Sequence, residues 1–67
     1  MTNEAAATRL RQNYACLTTL ENDLTLLAND ADLIAIRAEC LSFKEKAASL
    51  QRDLRRLETD VRRGFPG

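Results

Sequence analysis

The sequence predicts an all-α fold: an antiparallel, coiled-coil-like two-helix hairpin, completed as a four-helix bundle by dimerisation or by docking on a partner. Three observations predict it. Glycine and proline are confined to Gly64-Phe65-Pro66-Gly67, so the long stretch before them contains neither helix breaker. Two apolar seams run along that stretch in steps of three and four residues, the signature of packed helices. The seams differ in phase, and the slip falls on a cluster of capping residues, Asn29-Asp30-Ala31-Asp32.

The first seam is Ala6, Leu10, Asn13, Leu17, Leu20, Leu24 and Leu27. It predicts a helix over about 3–28, capped by Thr2 or Asn3, with Glu4 in the first turn where an anion suits the helix dipole. Continued past Leu27, this seam would use positions 31, 34, 38 and 41. The chain instead offers Leu33, Ile36, Cys40, Phe43, Ala47, Leu50, Leu54, Leu57 and Val61. Asn and Asp are poor in a helix interior and good at its start. A tight turn over about 29–31 therefore joins a second helix over about 32–63, capped by Asp30 or Asp32. Arg62 and Arg63 suit its last turn, Gly64 the C′ position, and Pro66 blocks continuation in a short tail, 64–67. The rival is one continuous helix with a stutter at 28–32. A short turn makes the two helices antiparallel neighbours within one domain, 1–67.

Such a hairpin leaves each helix half exposed, and 67 residues bury little core. A second apolar row beside the main seam, Ile34, Ala38, Leu41 and Ala48, marks where a partner packs. With Phe43 on the seam and Leu26 off it near the turn, these six residues form the expected partner or oligomer interface. Beyond residue 50 the same row turns basic, at Arg55 and Arg62. Asn13, the polar residue on the first seam, is placed to set register or oligomer state.

Chemistry-bearing patterns are sparse. The chain has no His, no Gly-rich phosphate loop and no nucleophile elbow, so no enzyme is expected. Cys16 and Cys40 without His make no zinc site, and Cys40 reads as a small core residue; no metal or cofactor is expected. Net charge is zero, from 10 basic and 10 acidic residues, which gives no global pull toward nucleic acid. The charge is uneven: residues 1–32 sum to −3 and residues 33–67 to +3, so the helices attract side by side. The arginines of the second helix are interleaved with acids. Glu58–Arg62, Asp53–Arg56 and Asp60–Arg63 stand at ion-pair spacings, as on a solvated face. Nucleic acid is accordingly not an expected partner, and the mixed charge and lack of Trp argue against a membrane surface. Neither a secretory signal nor an apolar run long enough to span a bilayer is visible, so a cytoplasmic location with reduced thiols is expected.

Two resemblances bear on function. In its length, its Asp30-Ala31-Asp32 turn, its small seam residue Cys40 and its aromatic Tyr14, the layout resembles the Rop family of plasmid copy-number regulators. That likeness implies a dimeric four-helix bundle that binds paired RNA loops. The stretch Leu20–Leu27, "LENDLTLL", resembles the first helix of small hairpin co-chaperones of type III secretion needle subunits. That likeness implies an apolar face docked on a larger helical partner. The residues themselves favour a small non-enzymatic protein–protein interaction module, of adaptor, co-chaperone or inhibitor type. It acts through an apolar helical face, on itself or on a larger helical protein, with a Rop-like RNA-binding regulator as the alternative.

Overall fold

The structure, a computed structural model, describes residues 1–64. Helix α1 spans Asn3–Ala28, a 3₁₀ segment spans Ala31–Ile36, and helix α2 spans Arg37–Arg62. The expected stop at Pro66 lies outside the described residues, as does Phe65.

Helix α1 begins as its sequence dictates. Thr2 is extended, and its hydroxyl accepts from the Ala5 amide at 3.1 Å. That satisfies one of the amides a helix start leaves unpaired. At the other end Asn29 closes the helix, its amide donating to the Thr25 carbonyl at 3.1 Å.

The turn is where expectation and structure part. Asp30 is the cap, its carboxylate accepting from the Asp32 amide at 2.9 Å. The second helix does not start in α geometry at residue 32. The Leu33 amide bonds to the Asp30 carbonyl at 3.1 Å, an i to i+3 bond that winds the segment as 3₁₀. Leu33 itself departs from helical backbone, at φ −112° and ψ 27°. That kink resets the helix axis before α2 begins at Arg37. The far end of α2 agrees with its sequence, since Gly64 adopts φ +86°, the left-handed conformation that ends helices.

Glu4 pairs with Arg62, Arg11 with Glu58, and Thr18 with Gln51. One index rises as the other falls, so the helices are antiparallel and the continuous-helix alternative is not formed. The hairpin measures 49 × 17 × 12 Å. No helix among the described residues is long and apolar enough to cross a membrane.

The seam between the helices corrects the sequence reading. Two heptad rows are used as expected: Leu10, Leu17 and Leu24 on α1, and Cys40, Ala47, Leu54 and Val61 on α2, all buried or half-buried. Their neighbours in the seam are not the ones the apolar pattern named. Packing draws instead on Ala7, Tyr14, Glu21 and Ala28, and on Lys44, Gln51 and Glu58, all at least half-buried. The helices have turned toward small side chains, which let the backbones approach, and toward long polar ones, of which Glu58 is buried. The rows left over, with Asn13, Leu20 and Leu27 on α1, Ile36 at the end of the 3₁₀ segment, and Phe43, Leu50 and Leu57 on α2, are exposed. Burial in the core is correspondingly thin: among the described residues Ala7, Ala28, Cys40, Ala47 and Val61 are its buried apolar members, and no large side chain is fully enclosed.

Candidate functional site

Because the helices are antiparallel, equivalent heptad rows from the two helices fall on the same edge of the hairpin. The two long edges therefore differ in chemistry.

One edge is polar and bonded to itself. Glu58 is its hub, a residue only 6% exposed. It accepts from the Tyr14 hydroxyl at 2.8 Å and from Arg62 Nε at 2.9 Å, and Arg11 approaches at 3.2 Å. Arg62 also reaches Glu4 across the helices at 2.9 Å. Arg55 lies over the Tyr14 ring at 5.0 Å, and Gln51 donates to Thr18. The hydrogen bond from Tyr14, then that from Arg62, holds the Glu58 carboxyl below the usual carboxylate range. Burial acts the other way and is outweighed. No buried side-chain polar atom on this edge or elsewhere among the described residues lacks a partner. The expected Glu58–Arg62 pair thus forms, but it belongs to the helix interface rather than to a solvated face. Asp53 and Arg56 do pair in solvent, at 3.9 Å.

The opposite edge is apolar and open. A groove of about 370 Å³ runs between the helices there, lined by Leu17, Leu20, Leu24, Phe43, Ala47 and Leu50, with Lys46 at its rim. Leu20, Phe43 and Leu50 are 45%, 55% and 49% exposed. Leu27, Ile36 and Leu57 are also exposed, so the apolar character extends well beyond the groove. The Lys46 ammonium sits 5.4 Å from the Phe43 ring centre, a cation–π contact at the rim.

The six expected interface residues do not form one surface. Phe43 lies on the apolar edge. Leu41 and Ala48 fall in the heptad row of Arg55 and Arg62, on the side of the polar edge, with Ile34 exposed close to the turn. Leu26, 71% exposed, and Ala38 point away from the seam of their helices. Asn13 is exposed within the apolar edge's row. Two features were not anticipated: the buried hub Glu58, and the standing of Leu20, Leu27, Leu50 and Leu57 as surface rather than seam. The signal was present in the second case, since those leucines belong to the regular apolar pattern.

Among the described residues no three potential metal-ligating side chains come together. Cys16 is an exposed free thiol and Cys40 a buried one. The fold and surface thus define an amphipathic helical hairpin with one long edge unpartnered. Comparison of the chain with protein-family models, with curated proteins and with solved structures returns no match.

Proposed function

We propose that this protein is a small non-enzymatic interaction module that works through the apolar edge of its hairpin, with self-association part of its working state. One observation carries the reading. An apolar-rich row from each helix, with Leu20 and Leu27 on one side and Phe43, Leu50 and Leu57 on the other, lies along one edge, and nothing among the described residues covers it. A compact protein of 7.5 kDa exposes about 4200 Å². This hairpin exposes 5042 Å². The excess is close to the ~800 Å² that one partner contributes to a standard interface. Adaptor, co-chaperone and inhibitor roles all fit such a surface. An RNA-binding role has less to stand on, because the Tyr14 hydroxyl and ring face are engaged by Glu58 and Arg55.

The test is light scattering coupled to size exclusion, with circular dichroism on the same samples. Leu50→Lys, on the apolar edge, should lower both mass and helix content. Ser49→Lys, exposed on the neighbouring side of the same turn, should change neither. If all three chains are monomeric and equally helical, the edge is stable in water and the reading fails.

A further inference from the structure

We infer that the occupant of the apolar edge is a second copy of this chain, stacked face to face with its turn at the opposite end. The inference rests on the proposed function and specifies its partner and orientation.

Charge is distributed unevenly along the hairpin's long axis. Thr18 meets Gln51 and Arg11 meets Glu58 across the seam, so residue 16 lies level with residue 53. The segment 16–53, which contains the turn, carries seven acidic and four basic residues, net −3. The rest, at the free ends, carries six basic and three acidic residues, net +3. The molecule is therefore an electric dipole about 49 Å long. Two copies sharing one apolar edge have two symmetric ways to stack. With turns at the same end, −3 lies on −3 and +3 on +3. With turns at opposite ends, each acidic half lies on a basic half. The second arrangement is favoured at both ends at once.

The rim of the edge is compatible with it. The row outside Leu20 on α1 holds Arg9, Cys16 and Asp23; the row outside Phe43 on α2 holds Glu39, Lys46, Asp53 and Asp60. A two-fold axis crossing α1 at Cys16 also crosses α2 at Asp53. It places Arg9 opposite Asp23 of the second copy, and Lys46 opposite its Asp60. Cys16 and Asp53 each meet their own equivalent, and only at Asp53 does this set like charge against like. The same-end arrangement also pairs rim charges, but differently: Arg9 with Asp60 and Asp23 with Lys46. The two orientations are thus separable by mutation. In both, the leucine rows and Phe43 leave water, and the a/d seam read from the sequence becomes the core of a four-helix bundle.

The experiment measures the dimer dissociation constant of the whole chain by analytical ultracentrifugation at low and high NaCl. The wild type should weaken as salt rises. Arg9→Asp should weaken it roughly tenfold at low salt, two exposed pairs having turned repulsive. The double variant Arg9→Asp with Asp23→Arg should recover most of that loss, because each new charge again faces its opposite. If the double variant binds more weakly than Arg9→Asp alone, the turns lie at the same end and the orientation is overturned while self-association stands. If the wild type stays monomeric at all concentrations while Leu50→Lys still abolishes its helix content, the second-copy inference is overturned. All substituted positions here are exposed, so folding is tested separately by dichroism.

Discussion

Phe43→Ala separates a hairpin that stands alone from one that is half of a larger core. A phenylalanine side chain offers roughly 200 Å² to burial. Phe43 is 55% exposed, so α1 and Lys46 cover somewhat under half of it. That covered part, roughly 90 Å² at ~25 cal/mol per Å², is worth about 2 kcal/mol to the hairpin by itself. Better helix propensity of alanine returns about 0.5 kcal/mol. The exposed remainder, roughly 110 Å², is worth about 3 kcal/mol more per chain if a partner covers it, and twice that per dimer. Urea unfolding followed by dichroism checks this at protein concentrations a hundredfold apart. At the dilute end the loss should approach about 1.5 kcal/mol per chain. At the concentrated end it should be several kcal/mol larger, and the wild-type midpoint alone should rise with concentration. A small loss, equal at both concentrations, would refute the reasoning, because the ring would never have left water.

Other expectations follow from the polar edge and the helix ends. The Glu58 carboxyl is held below its ordinary value of 4.5, so its contribution is complete above that pH and disappears as pH falls through the lowered value. Tyr14→Phe removes the leading cause of that lowering. The acid limb of stability should then move to higher pH, read as helix content between neutral pH and pH ~2; an unmoved limb would show that Tyr14 does not hold the carboxylate. Asp30→Ala removes the cap at the turn and should cost about 1 kcal/mol in thermal unfolding, with Asp32→Ala costing less. Gly64→Ala should cost about 1 kcal/mol, the residue being fixed at φ +86°. Leu41→Asp should leave association intact, because Leu41 lies in the row of Arg55 and not on the apolar edge. Loss of the dimer in that variant would move the interface to the other side of α2.

The hairpin, its antiparallel sense, the Thr2 cap of α1, the Asp30 cap of the 3₁₀ segment and the Gly64 stop are legible in the sequence because each rests on local chemistry, whereas α2 itself starts after Ile36 with no side-chain cap. Asp30 caps wherever its carboxylate can reach an amide two residues on, and Gly64 ends a helix because a left-handed residue suits it. The Leu10–Leu17–Leu24 and Cys40–Ala47–Leu54–Val61 rows are legible for a related reason: they are central in either packing. What could not be read is which flanking row faces the other helix of the same chain. An apolar pattern reports that a residue is to be buried, and not by whom. Leu20 and Leu50 satisfy the heptad rule and yet lie outside the hairpin's seam, whereas Glu58 breaks the rule and is buried. Nothing local to Glu58 announces this, because its burial depends on Tyr14 and Arg11, more than 40 residues away in the chain. The 3₁₀ start of the second helix, with Leu33 at φ −112° and ψ 27°, was likewise not signalled by the capping residues before it.

The unequal edges also suggest how such a thin core keeps one register. Among the described residues three of the five buried apolar ones are alanines, which would tolerate sliding of one helix against the other. A slip by one heptad would leave Glu58 buried without Tyr14 and Arg11. An unpaired buried carboxylate is far more costly than the loss of a few alanine contacts. The polar edge therefore fixes alignment, while on the proposed reading the apolar edge supplies affinity. This division makes the two separable in experiment. Acid or Tyr14→Phe should loosen register first and association as a consequence, broadening the unfolding transition even at high protein concentration. Leu50→Lys should remove association while the Glu58 pairs persist in whatever hairpin remains. Were both perturbations to produce the same loss at the same concentration, alignment and affinity would be one property, and the hairpin would have no register of its own before it pairs.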